Sequence, residues 1–302
     1  MTTQRAMADP GELTGVPLYQ VRTEVAGVSV RICLVGGDAG MVEDAWGRLR
    51  ELLRGWDGAA VDSEITRINR GSGTAVFASP ETVLLVGLAL QAARETDGGY
   101  DPRARDPAAA TEGDNGTEWT KEFLVDTRSG TVGIPSASTL DPGGVEHGLA
   151  ADLVVADVLE AGAYGVCVDV AGNVCTAGVA PSRAGWLLRI DTPGTGEQVA
   201  SLRLRGGAMA TGARTADVMR TPATVTRTPA TVTRTPATDS HELVAVTVVA
   251  ASAWHAQAIA RAALRAGYRR GRALVDRASG AALFHYADAT YRPTIAWQDF
   301  VA

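Results

Sequence analysis

The residues best placed to do chemistry gather where a turn runs into a helix, in "TLDPGGVEHGLAADLVVADVL" (139–159). Asp141, a proline, Gly143 and Gly144 come first. Glu146 and His147 sit at the junction, and a long apolar helical pattern follows. Two readings fit these types at this spacing. One is a Pro-Gly-Gly turn that launches a helix. The other is a glycine backbone that approaches a phosphate, with the helix N-terminal amides pointing at it. A shorter cluster, "GGYD" (98–101), reads first as a glycine helix stop and turn. Lys121 is the single lysine, so any cationic role in catalysis falls to arginine or histidine.

The elements that must position these residues follow from periodicity. "VSVRICLVG" (28–36) alternates as a strand. In 41–57, Met41, Val42, Ala45, Leu49, Leu52 and Leu53 recur at helical spacing. "DSEITRINR" (62–70) predicts a short capped helix or turn. Ser79 and Pro80 open a helix that ends at Gly98-Gly99. Residues 103–120 read as a surface loop, and "EFLVDTRSGTVGIP" as a hairpin turned by "TRSG". The turn at 141–144 launches a helix over 149–162, and 164–178 reads as a buried strand. Further strands are expected in "GWLLRIDTP", "VASLRLRGGAMATG" and "ELVAVTVVA" (242–250), then a helix over 252–267 and a closing hairpin in 273–288. Strands and helices mix without a strict βαβ rhythm. The expected class is α+β, or mixed α/β, rather than a doubly wound sheet.

The bulk numbers bound the function. A chain of 302 residues is long enough for one large domain or two ordinary ones, and 46% apolar residues can bury a substantial core. A net charge of −6 argues against sequence-independent binding to nucleic acid. Cys33, Cys167 and Cys175 lack disulfide or metal spacing and read as buried free thiols in a reducing, cytoplasmic setting. No apolar run approaches membrane-span length. The organisation expected is a disordered N-terminus over 1–18 and one domain over 19–302. The unit "RTPATVT" repeats within 220–238, and its prolines exclude a heptad helix, so it reads as an insertion in a surface loop.

Five pieces, in order, resemble the FAD:protein FMN transferases of the ApbE type. "DSEITRIN" (62–69) is similar to the family's D-S-x-[IL]-x-x-[IL]-N, and "ETDGGYDP" (95–102) to T-x-G-[AG]-[FY]-D-P. "DPGGVEHGLAAD" (141–152) resembles D-L-G-G-I-A-K-G-Y-A-x-D, and "VDVAGNVCTAG" (168–178) resembles V-[ND]-x-G-G-D-[IV]-x-x-x-G. The fifth piece is "VAVTVVAASAWHAQAIARAALRAG" (244–267). The resemblance implies an ApbE-like fold and transfer of FMN from FAD to a Thr or Ser of an acceptor flavoprotein, with Mg²⁺. It implies flavin contacts at Gly99, Tyr100, Asp101 and Asp141, and a metal-holding carbonyl at Gly144.

The departures bear on activity. The family's lysine is His147 here, which carries only a part-time charge; the resemblance implies for it the ligand-binding and catalytic roles of that position. The metal-binding Asp and Thr, four apart on one helix, become Gln257 and Arg261. Gln257 retains an oxygen for a metal; Arg261 cannot ligate one, but forks to phosphate oxygens. The family's His-containing segment before the 242–250 strand is replaced by the repeat, and His241 is not a clean substitute. The alternative to an active transferase is therefore a catalytically impaired, FAD-binding regulatory or scaffold member of the same family.

Overall fold

The computed structural model describes residues 4–6, 16–25, 27–103, 116–136, 138–191, 198–214 and 242–302. The Thr/Pro repeat, His241 and most of the N-terminal stretch lie outside the described residues.

A nine-stranded sheet forms the centre, antiparallel throughout. Its order is β1 (Gln4–Ala6), β2 (Leu18–Val25), β3 (Val28–Val35), β7 (Gly165–Val170), β8 (Asn173–Gly178), β11 (Gly207–Ala213), β12 (Leu243–Ala250), β13 (Ala281–Tyr286) and β14 (Tyr291–Pro293). Strand β1 lies inside the stretch expected to be disordered and pairs with β2. A three-stranded sheet joins β4 (Ala75–Phe77), β6 (Thr131–Gly133) and β5 (Leu124–Asp126), with β5 and β6 making the expected hairpin. The two-stranded hairpin of β9 (Trp186–Asp191) and β10 (Gln198–Leu204) stands apart.

Helices α1 (Ala39–Trp56), α4 (Glu146–Glu160) and α5 (Ala253–Arg277) pack on one face of the central sheet. Helix α1 buries Val42, Ala45, Leu49, Leu52, Leu53 and Trp56, the stripe its periodicity requires, and Asp38 caps it through the Met41 amide. The β9–β10 hairpin covers part of the other face, burying Trp186, Leu188 and Leu202 against Val35, Cys167, Met209 and Leu283. Helices α2 (Glu64–Arg70) and α3 (Pro80–Glu95) flank the small sheet, each capped by the expected serine, Ser63 and Ser79. A 3-10 helix, Glu118–Glu122, falls at the end of the stretch read as a loop. The class is mixed α and β, as expected, and its sheets are antiparallel. No described helix is long and apolar enough to cross a membrane. All three cysteines are free; Cys167 and Cys175 are buried and Cys33 half-buried.

Four elements differ from the sequence reading. The single strand expected over 164–178 is a hairpin. Ala171 and Gly172 take φ of 53° and 82°, the two positive values that a tight two-residue turn demands. The helix expected to stop at Gly267 kinks there, at φ 72°, and resumes to Arg277. Gly271 lets the second half lie on the first, for a Cβ at that position would stand 2.6 Å from the Ala263 carbonyl oxygen. The closing hairpin therefore begins at Ala281, later than its apolar pattern suggested. Helix α4 starts at Glu146 rather than 149.

Candidate functional site

The site is a junction of four backbone segments held by side-chain clamps. Ser63 accepts from the Thr66 amide and starts α2, whose last turn presents Asn69. The Asn69 amide nitrogen donates to the Leu140 carbonyl at 2.9 Å, and the Leu140 amide donates to Asn69 Oδ1 at 2.8 Å. Asn69 thus grips the chain just before the 141–144 turn, as a neighbouring strand would. The Asp141 amide donates to the Pro102 carbonyl at 2.7 Å, tying that turn to the segment carrying Tyr100 and Asp101. Asp141 Oδ1 accepts from the Gly143 amide at 2.9 Å, an Asx turn that shapes the glycine pair.

Tyr100 is the buried centre of the junction, 4% exposed. Its amide donates to Thr96 Oγ1 at 2.9 Å and its hydroxyl to the Pro142 carbonyl at 3.3 Å. Burial pushes its hydroxyl pKa well above 10, with the Glu146 carboxylate adding to the rise and Arg261 opposing it. Gly144 explains its own identity. A Cβ there would lie 2.5 Å from Tyr100 Cε2 and 2.9 Å from Arg261 Nη1. Only a bare backbone fits between the ring and the guanidinium. Gly99 sits as tightly, with a hypothetical Cβ 3.1 Å from that of Ala262 on α5.

Helix α5 is locked in place by α4. The Asp152 carboxylate accepts from the Ala253 and Trp254 amides at 2.8 and 3.0 Å, capping α5 from the neighbouring helix. Gly148 allows the close approach, because a Cβ on it would meet the Ala253 carbonyl at 2.4 Å. Gln257 Oε1 accepts from the Gly148 amide at 2.9 Å, and the side chain is buried. Arg261, one turn on, is exposed and forms no hydrogen bond or ion pair with the described residues. Its Nη1 lies against Gly144.

The structure therefore brings Gly99, Tyr100, Asp141, Gly144 and Arg261 together. Gln257 joins them one helical turn away, bonded to the residue after His147. His147 Nε2 stands 3.7 Å from Glu146 Oε1, and both side chains are 16% exposed. Asp101 holds Arg103 in a two-pronged pair, at 2.9 Å to Nε and 2.7 Å to Nη2, and Arg103 stacks 3.9 Å over the Trp119 ring. His255 pairs with Glu95 at 3.1 Å, a structural role. Sequence reasoning gave no function to Asn69, Arg103, Glu146 or Asp152. Asn69 and Asp152 stood inside matched motifs, and Glu146 stood at the turn–helix junction; only their partners, distant in sequence, define what they do.

The donors around Gly144 do not fit Mg²⁺. A guanidinium stands against the glycine where a dication would have to approach, and the Gln257 oxygen already accepts from an amide. Among the described residues no group of three or more His, Cys, Asp or Glu could hold a metal ion.

A mixed fold with a glycine turn, a buried tyrosine and a clamped helix end defines a recognisable class of protein. The model of the ApbE family matches residues 22–284. The chain belongs to that family. Among solved structures it is similar to the ApbE protein of Thermotoga maritima, at a TM-score of 0.73, 18% identity, and coverage of 94% of this chain and 99% of the other. It is also similar to the flavinyl transferase ApbE of Pseudomonas stutzeri, apo form, at 0.71, 18%, 94% and 96%. The flavin transferase ApbE of Vibrio cholerae follows at 0.70, 18%, 94% and 99%. No curated protein matches the chain in sequence.

Proposed function

We propose that the chain binds FAD across the 141–144 turn and acts as an FAD:protein FMN transferase, with Arg261 standing in for the divalent cation. The observation that carries this reading is the uncommitted Arg261 guanidinium pressed on Gly144 beside buried Tyr100. A guanidinium at that point forks to two pyrophosphate oxygens. Gly99, Tyr100 and Asp101 line the flavin side, and Tyr100 stays protonated, its hydroxyl bracing the turn through the Pro142 carbonyl. In the reaction, a Thr or Ser hydroxyl oxygen of an acceptor flavoprotein bonds to the FMN phosphorus. The pyrophosphate P–O bond breaks and AMP leaves. His147, at the edge of the turn, takes the hydroxyl proton. A cytoplasmic location fits three unpaired cysteines.

A second reading is a non-catalytic FAD-binding member, favoured by the bond between Gln257 and Gly148. Arginine stabilises phosphate charge but gives less Lewis-acid activation than a metal. The test is a titration of the purified protein with FAD, FMN and NAD, followed by AMP release with an acceptor protein, each with Mg²⁺ and with chelator. The reading expects FAD to bind in preference, with an affinity indifferent to Mg²⁺. Absence of binding at sub-millimolar FAD defeats it. FAD binding without AMP release leaves the second reading standing.

A further inference from the structure

Glu146 is the first residue of α4, and its carboxylate folds back over the turn that precedes it. Oε2 accepts from the Gly144 amide at 2.7 Å and, more loosely, from the Val145 amide at 3.3 Å, whose shorter bond of 3.0 Å goes to the Pro142 carbonyl. Oε1 faces His147 Nε2 at 3.7 Å, and the side chain is mostly buried. The N-cap residue, Val145, offers no side-chain acceptor. The Gly144 amide, a group an incoming phosphate would use, is thus already satisfied by a carboxylate of the same chain. On the other side of Gly144, the Arg261 charge has no carboxylate to pair with among the described residues. The turn holds one anion and faces a guanidinium that pairs with no described residue.

We propose that Glu146 is an intramolecular competitor for the phosphate-binding turn, a specificity-determining residue that the pyrophosphate of a dinucleotide must displace. The proposal rests on the reading of residues 141–144 as the phosphate-contacting turn. A carboxylate and a phosphate both accept charge-assisted hydrogen bonds, and two anions cannot share the Gly144 amide. Binding therefore requires the Glu146 side chain to swing out. The apparent affinity is reduced by the fraction of molecules in which it has done so. A ligand that also engages Arg261 and the Tyr100 side of the crevice overcomes the competition. A phosphate without those contacts does not. Glu146 in this way rejects small phosphates and admits a dinucleotide.

The experiment compares the wild-type protein with Glu146→Gln and Glu146→Ala in magnesium-free buffer, using FAD, inorganic pyrophosphate and riboflavin as probes. Glutamine keeps an oxygen for the Gly144 amide but loses the charge. Charge-assisted hydrogen bonds are roughly twice as strong as neutral ones, so Glu146→Gln should tighten FAD and pyrophosphate about tenfold. Glu146→Ala should tighten both at least as much, and riboflavin, which has no phosphate, should respond to neither change. FAD held equally or more weakly by both variants overturns the proposal while leaving the flavin reading intact. Pyrophosphate tightened in the variants, with FAD bound by none, upholds Glu146 and sinks the flavin reading. No binding of FAD or pyrophosphate by any of the three proteins overturns both. Thermal unfolding of each variant confirms that folded proteins are being compared.

Discussion

At the scale of the residue, Arg261 and His285 carry the sharpest expectations. Removing the Arg261 guanidinium should weaken FAD binding by about 1.5 kcal/mol, the lower end for hydrogen bonds to a charged group because the side chain is exposed. Chelator should leave the affinity of the unmodified protein unchanged; isothermal titration reads both. His285 is 1% exposed on β13, with Nε2 3.0 Å from Thr247 Oγ1, and burial lowers its pKa to about 4. Between about pH 6.5 and 4 the unfolded chain holds a proton on this histidine that the folded chain refuses. Its contribution is therefore complete above pH 6.5 and is lost as pH falls towards 4, amounting to about 3 kcal/mol. The carboxyls of Asp152 and Asp169, raised by burial, act with the opposite sign. Urea denaturation of wild type against His285→Gln across that range isolates the histidine: the variant should lose the acid-side decline that this group causes. Residues at the turn were legible because their types are rare in combination. Asn69 and Asp152 were not, since an amide or a carboxylate on a helix has no role until its partner arrives from a distance in sequence.

At the scale of the element, Gly148 decides how α4 and α5 meet. Gly148→Ala would push a methyl group into the Ala253 carbonyl, and backbone cannot rotate away as a side chain can. The expected loss is about 2–3 kcal/mol, typical of overpacking, read as a lower urea midpoint. FAD affinity should fall with it, because the same contact sets where Gln257 and Arg261 lie. Helix α1, the α3 start and the β5–β6 hairpin were all legible from period and capping residues. The 164–178 hairpin was hidden because an Ala-Gly turn is inconspicuous inside an apolar run buried on both flanks. The α5 extension was hidden because Gly267 reads as a stop, whereas here the positive φ bends the helix without ending the helical run.

At the scale of the whole molecule, the mixed α and β class was legible, but neither the antiparallel pairing nor the strand order was. Pairing β3 with β7 and β8 with β11 joins strands far apart in sequence, and nothing local announces it. The Thr/Pro repeat bears on the same scale. Deleting one "RTPATVT" unit should change stability by well under about 1 kcal/mol, since loop closure varies by only about 0.6 kcal/mol per doubling of length. A fall of many degrees in melting temperature would contradict that. The repeat leaves and re-enters between β11 and β12, which are already adjacent antiparallel partners. The ladder is closed at that end by the Arg214 amide on the Val244 carbonyl at 3.1 Å and by the Arg214–Glu242 ion pair at 3.3 Å. A tandem unit in a gene gains and loses copies through slippage during replication. Set beyond a closed pair of strands, such changes in copy number alter the length of the chain without altering the register of any strand.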